Sequence, residues 1–321
     1  MAKVSVIIPN YNHAHYLEQR ITTVLNQTYQ DFDLLIMDDC SSDSSKTIIE
    51  KYRTHPKVKI LYNTQNSGNV FRQWEKGLAN TTGEYIWIAE SDDYSDLTFL
   101  EKMVSMLDKY TSAGIAFCAS YGVDEKGTIL FPMQRTLSEE KHAKEVADSI
   151  YLIDGKKECE TILATRCTIP NISCSVFRRK AVSNIQMSYD YRLCGDWVFY
   201  INIALHYDFV YRHEMLNYFR HATSSVRNQT VKAGTFYLEK LRIYFYLKRF
   251  IHYNSETRIK YIDEYTYFLF FYLLRKEIQL KPVQVLGILR DLQKIYIGAF
   301  LIVIKNLLLL FIRAGKKIIK K

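Results

Sequence analysis

The sequence predicts an α/β fold with a mainly parallel central sheet, followed by a C-terminal helical region. Three observations predict it. Short, continuous apolar runs recur at Val4–Ile8, Phe32–Met37, Val58–Tyr62, Tyr85–Ala89 and Ile115–Ser120, and runs of this kind read as buried strands. Segments with apolar residues at helical spacing lie between them, and this alternation implies parallel strands joined by right-handed crossovers. From about Val231 the helical period persists and strand signals stop.

The elements follow in order. Val4–Ile8 is β-rich and is stopped by Pro9, so Pro9-Asn10-Tyr11-Asn12 is a loop. Leu17, Ile21, Val24 and Leu25 share one face of a helix from about His15 to Asn26. The second strand ends in Asp38-Asp39-Cys40-Ser41-Ser42-Asp43, and Ser44–Tyr52 continues as a helix capped by Ser42 or Asp43. After the third strand, Asn66-Ser67-Gly68-Asn69 is a turn, and a helix from about Val70 to Ala79 leads to the central strand. Leu97–Tyr110 is the next helix.

The bounds are as follows. The 321 residues suffice for one large domain or two small ones, and a hydrophobic fraction of 48% supports a core. The net charge is +9, but the excess is local: seven Lys or Arg and no acid follow Asp291. That asymmetry points to a membrane surface rather than to nucleic acid. The six cysteines show no CxxC pair or Cys/His metal spacing and read as free thiols of a reducing cytosol. Met1-Ala2-Lys3 runs straight into the first strand, so a cytoplasmic N-terminal part is expected.

Two strands end in acid. Asp92-Asp93 close the central strand as Asp38-Asp39 close the second, and ligands bind at the carboxyl edge of an open parallel sheet. Adjacent carboxylates repel unless a cation lies beside them, which suits Mg²⁺ or Mn²⁺. An acidic turn that caps the following helix explains the same residues as well. A dinucleotide enzyme is excluded by the absence of glycine in Pro9–His13, and a P-loop ATPase by the absence of GxxxxGK[ST].

These residues carry a resemblance. VSVIIPNYN (Val4–Asn12), Asn26-Gln27-Thr28, LLIMDDCSSD (Leu34–Asp43), Asn66-Ser67-Gly68 and GEYIWIAESDD (Gly83–Asp93) resemble, in order and spacing, the family 2 glycosyltransferases of the GT-A fold. The resemblance covers roughly residues 1–225. It implies a catalytic domain there and a nucleotide-sugar donor, with UDP the first expectation and dTDP or GDP behind it. It places Pro9, Tyr11, Asn12, Asn66 and Gly68 at the donor nucleotide, Asp39 on the base, and Asp92 and Asp93 at the ribose and at Mn²⁺ or Mg²⁺. Two departures stand out: Glu90 where many members have Asp, and Cys40 where many have Gly. The second is read as neutral.

The resemblance also implies a catalytic base at Asp196, in Gly195-Asp196 opening the segment Leu193–Leu205, where an ordinary N-cap is the competing reading. Asn171–Arg178 resembles the acceptor side. Leu216–His221, followed by Ser224, resembles the segment that closes over the diphosphate, with Arg220 and His221 as candidate contacts. A single displacement with one base inverts the anomeric centre. The absence of Gln-x-x-Arg-Trp favours one sugar per encounter. The expected partner is a glycan or a polyprenyl-linked glycan of cell-surface polysaccharide assembly. An inactive nucleotide-sugar-binding scaffold and a sugar-nucleotide pyrophosphatase are the alternatives.

The helical region, residues 226–321, is expected to hold helices at Thr235–His252 and Arg258–Ile278 and a last helix opened by Pro282. Tyr265–Leu274 is apolar all round and is expected to be buried between helices or in lipid. Ile295–Ile312 is 18 residues long, interrupted by Lys305 and Asn306, with basic flanks on both sides. A single span cannot place both flanks in the cytoplasm, so the segment about 282–321 is expected to lie in the interface of the inner membrane face. Packing of this helix in a soluble bundle or against a second copy of the chain stays open.

Overall fold

The computed structural model describes residues 2–137, 140–221 and 231–318, without the side chains of 311 and 313–318. The boundary expected at residue 225 and the expected contact at Ser224 lie outside these residues. Among the described residues, one compact unit comprises 2–158, 168–190 and 195–221, and a second comprises 159–167, 191–194 and 231–318.

In the first unit, four parallel strands form half of the sheet: β1 (Val4–Asn10), β2 (Phe32–Asp38), β3 (Val58–Tyr62) and β4 (Tyr85–Ile88), in the order β3-β2-β1-β4. The chain moves from β1 outward to β3 and then returns to the other side of β1. The crevice at the carboxyl ends of β1 and β4 is therefore the switch point where such sheets bind ligands. The helices α1 (Ala14–Leu25), α2 (Ser45–Glu50) and α3 (Val70–Ala79) make the crossovers. Every residue of β1 and β4 is buried, as two covered faces require.

The rest of the sheet mixes directions. The short β5 (Tyr94–Ser95) follows the acidic turn, α4 (Phe99–Lys109) packs below, and β6 (Ala113–Val123) re-enters the sheet. The strands β7 (Ile129–Met133), β8 (Ala143–Ala147) and β9 (Ile150–Ile153) form antiparallel edges, and β10 (Ser175–Arg178) inserts antiparallel between β4 and β6. The long β11 (Asp208–Arg220) runs parallel to β6. Of these six strands after β4 and β5, the sequence revealed only β6. The helices α5 (Gly155–Thr161), α6 (Arg179–Val182) and α7 (Gly195–Ala204) lie between them in the chain.

The second unit contains α8 (Thr235–Leu247), α9 (Ser255–Leu274), α10 (Pro282–Ile295) and α11 (Ala299–Ile318). Tyr244 stacks on Tyr253 and Tyr261, and Tyr261 on Tyr265, all buried. Each such ring contributes about 0.5–1.5 kcal/mol beyond its area. Glu239 of α8, itself buried, accepts the consecutive backbone N–H groups of Arg192, Leu193 and Cys194 at 2.7, 2.9 and 2.9 Å.

Three expectations for this region change. The last helix is two, because Tyr296 takes an extended backbone (φ −152°, ψ 129°) ahead of Gly298. Tyr265–Leu274 is buried on one side only, with Phe268 and Leu274 half exposed. Lys305 does interrupt the outer face of α11, where it is exposed, but Asn306 does not. Asn306 is buried and donates to Thr266 Oγ1 (2.8 Å) and Asp263 O (3.0 Å), and Lys305 pairs with Asp263 at 2.5 Å. Apart from Lys305, what α11 exposes is largely apolar: Phe300, Leu301, Ile304, Leu308, Leu309 and Ile312, with Ile297 before it 89% exposed. No described helix is long and apolar enough to cross a membrane.

Candidate donor and metal site

The crevice is built from three strand ends and the loops that follow them. At the end of β1, Asn10 Nδ2 donates to Asp38 Oδ2 at 2.8 Å. The Ser41 hydroxyl donates to the same oxygen at 2.6 Å, and Ser41 N donates to Oδ1 at 2.9 Å. Asp38 therefore ties the β1 and β2 ends together. Pro9 is buried in β1, Tyr11 is 47% exposed at the mouth, and Asn12 has φ +54°. The Asn12 side chain holds the Ser42 N–H at 2.8 Å, a tie to the loop after β2, and Asn is one of the few non-glycine residues that enter the left-handed region. Asp43 accepts the N–H groups of Ala14 and Ser45, both at 2.9 Å, but the N-cap of α2 is Ser44, whose side chain makes no cap bond, rather than Ser42 or Asp43 as expected.

Cys40 is not a neutral replacement. Its φ is +62°, in the region where a side chain crowds the backbone and glycine does not.

Asp39 is buried and organises the next loop. Its carboxylate accepts Asn63 Nδ2 (2.6 Å), Ser67 N (2.9 Å), Ser67 Oγ (2.7 Å) and Gln73 Nε2 (2.9 Å). Asn66 donates to the Asp39 carbonyl at 3.1 Å, and its own carbonyl accepts the N–H of Gly68, whose φ is +68°. Asn69 caps α3 through Phe71 N. The Phe71 ring lies where a Cβ on residue 195 would be, 2.3 Å away, so only glycine can precede Asp196 here. Asp196 is half-buried in the first turn of α7, and its carboxylate accepts Trp197 N at 2.7 Å.

The acidic turn after β4 divides its carboxylates. Asp93 is buried, with Oδ1 accepting the backbone N–H of Arg220 (2.9 Å) and Oδ2 accepting Asn171 Nδ2 (2.5 Å). Burial, and then the charge of Asp92, push its acid up to about 7, while Arg20 pulls the other way. Glu90 accepts the indole N–H of Trp74 at 2.8 Å, and burial followed by Asp92 pushes it up to about 8. The Asp92 carboxylate is half-exposed and takes no hydrogen bond or ion pair from the described residues. Three acids crowded at one turn, two of them resisting ionisation and one turned outward, form a donor set that fits a hard divalent cation.

Two arginines hold this turn, and one was missed in the sequence. Arg20 of α1 is fully buried, donates Nε to the Glu90 carbonyl at 2.8 Å and stands 4.0 Å from Asp93. Burial lowers its pKa to about 10. The signal was present, because Arg20 occupies the apolar stripe of Leu17, Ile21 and Val24, where a charge has no ordinary reason to be. Arg220 is also buried. It donates to the carbonyls of Asp92 (2.7 Å), Asp124 (2.9 Å) and Glu125 (2.8 Å) and to Gln19 Oε1 (3.0 Å), over the Tyr16 ring. The expected diphosphate contact is thus, in this arrangement, a brace for the acidic turn. His221 packs between the rings of Phe131 and Phe219. The acceptor-side segment forms a short 3₁₀ turn, Ile172–Cys174, and then β10, and Ser173 Oγ accepts the N–H of Glu90 at 3.1 Å.

A second cluster, Glu140, His142 and Glu158, has ligand atoms close enough to hold an ion. Arg135 already bonds both carboxylates of this buried group, and His142 meets Glu158 at 2.6 Å. A cation there would face a guanidinium, so the group reads as an internal ion-pair network.

Residues 5–186 match the profile of glycosyl transferase family 2, more than half of the chain, and the chain belongs to that family. Among similar proteins are two poly(ribitol-phosphate) beta-N-acetylglucosaminyltransferases of Staphylococcus aureus. TarS is 30% identical over 129 residues, 40% of this chain and 22% of TarS. TarP is 37% identical over 131 residues, 40% of this chain and 39% of TarP. The putative teichuronic acid biosynthesis glycosyltransferase TuaG of Bacillus subtilis is 32% identical over 105 residues, 32% of this chain and 41% of TuaG. The matches thus span well under half the length of these relatives. In fold, the chain superposes on S. aureus TarS 1–349 in complex with UDP-GlcNAc with a TM-score of 0.66 at 19% identity, over 92% of this chain and 81% of that one. The mannosyltransferase PcManGT of Pyrobaculum calidifontis, in complex with GDP-Man and Mn²⁺, gives 0.52 at 14% identity, over 98% and 75%. The fold is the GT-A fold with added C-terminal helices.

Proposed function

We propose that this chain is an inverting, metal-dependent glycosyltransferase. It moves one sugar from a UDP-sugar to a hydroxyl of a glycan or lipid-linked glycan in cell-surface polysaccharide assembly. The observation that carries this reading is the acidic turn at the sheet's switch point, with Asp92 facing outward and Asp93 braced from behind. UDP-GlcNAc is the first donor to test, since TarS binds it and its family fold is shared. Residues 1–225 act as the catalytic domain and 226–321 as the helical region.

Each residue then has a task. Tyr11, Asn12 and the Asn66–Gly68 loop receive the nucleotide at the β1 and β2 ends, beside Pro9. Asp39 acts on the base side chiefly by shaping the 63–73 loop. Asp92, with Asp93 behind it, would hold Mn²⁺ or Mg²⁺, which when bound offsets negative charge on the leaving diphosphate. Asp196 takes the proton of the acceptor hydroxyl as it attacks. The apolar outer face of α11 and the basic sequence after it suit peripheral attachment to the inner membrane face.

The test is thermal stabilisation by UDP with Mn²⁺, read beside transfer from UDP-GlcNAc. Wild type should gain about 2.7 kcal/mol with the nucleotide at about one hundred times its dissociation constant. Asp92→Asn should lose the Mn²⁺-dependent part. Asp196→Asn should keep all of it and lose transfer. Nucleotide-independent melting of a folded wild type would remove the reading, and wild-type turnover by Asp196→Asn would remove the base.

A further inference from the structure

Where α8 ends and α9 begins, the second unit holds a cavity of about 300 Å³ with no carboxylate in its lining. Lys248, Arg249, His252 and Arg258 line it, together with the half-exposed ring of Phe250 and the buried ring of Tyr244. Some cations elsewhere on the surface pair with acids, as Lys51 does with Glu18, Arg53 with Glu50 and Lys294 with Asp291. Here Lys248, Arg249 and His252 form no ion pair and no side-chain hydrogen bond with any described residue, and Arg258 donates only its Nε, to Tyr253 O at 2.7 Å. The guanidinium of Arg249 lies over the Phe250 ring, 5.8 Å from its centre. The Tyr244 hydroxyl, on a fully buried residue, has no partner.

A cation at a helix C-terminus complements the helix dipole. That accounts for Lys248, which closes α8. It does not account for Arg249 and His252 beyond the helix, or for Arg258 on the next one. Like charges gathered without a counter-ion cost free energy that an arriving anion removes. An exposed aromatic ring beside them offers a face for a sugar ring or another flat, partly apolar group.

We propose that this pocket binds phosphate groups of a polyanionic acceptor chain, as a second contact apart from the donor crevice. A single exposed pocket of this kind binds weakly, and it gains strength when a chain engages it and the transfer site together. The assignment of the ligand as an acceptor rests on the glycosyltransferase reading above; the phosphate chemistry rests on the pocket alone.

The test uses the full chain and the charge-reversal variant Lys248→Glu/Arg249→Glu, both positions being exposed. Short-chain polyphosphate is the soluble probe, and vesicles containing phosphatidic acid are the lipid probe. Polyphosphate affinity should fall about tenfold or more in the variant, the loss of about 1.4 kcal/mol that two reversed contacts readily supply. Vesicle binding and UDP-dependent stabilisation should stay at wild-type values. The KM for a phosphate-bearing acceptor should rise while the KM for the donor holds. Polyphosphate binding that survives the variant overturns the proposal, as does a wild type that does not bind it. Loss of vesicle binding with unchanged polyphosphate binding assigns the pocket to a lipid headgroup and also overturns it. Absence of transfer in wild type, with polyphosphate binding lost in the variant, would strike the acceptor role and leave the phosphate site standing.

Discussion

Replacing Glu90 by Gln should stabilise the protein, and by an amount that grows with pH. The carboxyl group holds its proton in the folded protein up to about pH 8, against an ordinary 4.5 in the unfolded chain, because burial and Asp92 oppose its charge. Between those values the folded state binds the extra proton. Stability therefore falls as pH rises from 4.5 to about 8 and then levels. At about 1.4 kcal/mol per pH unit, the deficit at pH 7 is about 3 kcal/mol, and solvent contact along the side chain reduces it to about 2–3 kcal/mol. Gln keeps an oxygen for the Trp74 indole N–H, bonded at 2.8 Å in the native protein, and carries no proton to lose. Asp93 lies beside Glu90 and opposes its charge, so the comparison reads position 90 together with its interaction with Asp93. Denaturant unfolding at pH 5, 7 and 9 is the assay. The variant should match wild type within about 1 kcal/mol at pH 5 and exceed it by about 2–3 kcal/mol at pH 7, a Tm gain of roughly 3–5 °C for a chain of this length. Saturating Mn²⁺ should shrink the gap, since a bound cation favours ionised acids. A gap that is equal at pH 5 and 9, or a variant less stable than wild type at pH 7, would refute the electrostatic account of the turn.

Other outcomes follow from single features. Cys40→Gly should stabilise by about 0.5–1 kcal/mol: a non-glycine residue at φ +62° costs about 1–2 kcal/mol, and the freer unfolded glycine takes back part of it. Chemical denaturation measures it, and a destabilised variant would mean the left-handed conformation carries no strain there. Leu301→Glu/Leu308→Glu, both on the exposed face of α11, should abolish co-sedimentation with anionic vesicles while leaving the Tm within about 1 °C, as surface substitutions usually do. Glu239→Ala should cost about 2–3 kcal/mol, because three consecutive N–H groups, that of Cys194 buried and those of Arg192 and Leu193 part-buried, lose their acceptor. A thermal melt within error of wild type would show that water replaces the carboxylate.

The parallel half of the sheet was legible because its strands are apolar on both faces and end abruptly in acid. The later strands were not. Lys144 and Glu145 of β8 are exposed at a sheet edge, and Ile129–Phe131 of β7 are exposed apolar residues, so neither strand shows an inside-outside pattern. The positions of Asp38 and Asp39 were readable but their work was not. Asp39 draws its donors from Asn63, Ser67 and Gln73, 24 to 34 residues onward, and only folding brings these together. Arg20 was visible as a charge in an apolar stripe. Cys40 was visible as a departure from glycine, but its cost lies in a backbone angle that no side-chain property records. The break between α10 and α11 had its cue in Gly298, outweighed by the apolar residues on both sides. Asn306 looked like an interruption of the outer face because its partner, Asp263, lies 43 residues before it.

Arg220 reaches the β6–β7 hairpin through the carbonyl oxygens of Asp124 and Glu125, not through their side chains. Main-chain oxygens are the same whatever residue carries them. The Asp124 carboxylate matters in another way, since it accepts the N–H groups of Lys126 (2.9 Å) and Thr128 (2.8 Å) and so shapes the turn that aims both carbonyls, and the length of the hairpin is fixed for the same reason. An inserted or deleted residue there would swing both carbonyls away, strand a buried guanidinium and loosen the carbonyl of Asp92 on its other side. Variation among proteins built this way should accordingly appear at the tip as substitutions and be cut off sharply where it would change the register. A library that aims to alter acceptor or donor choice should keep Asp124 and the length of the hairpin, and vary residue 125.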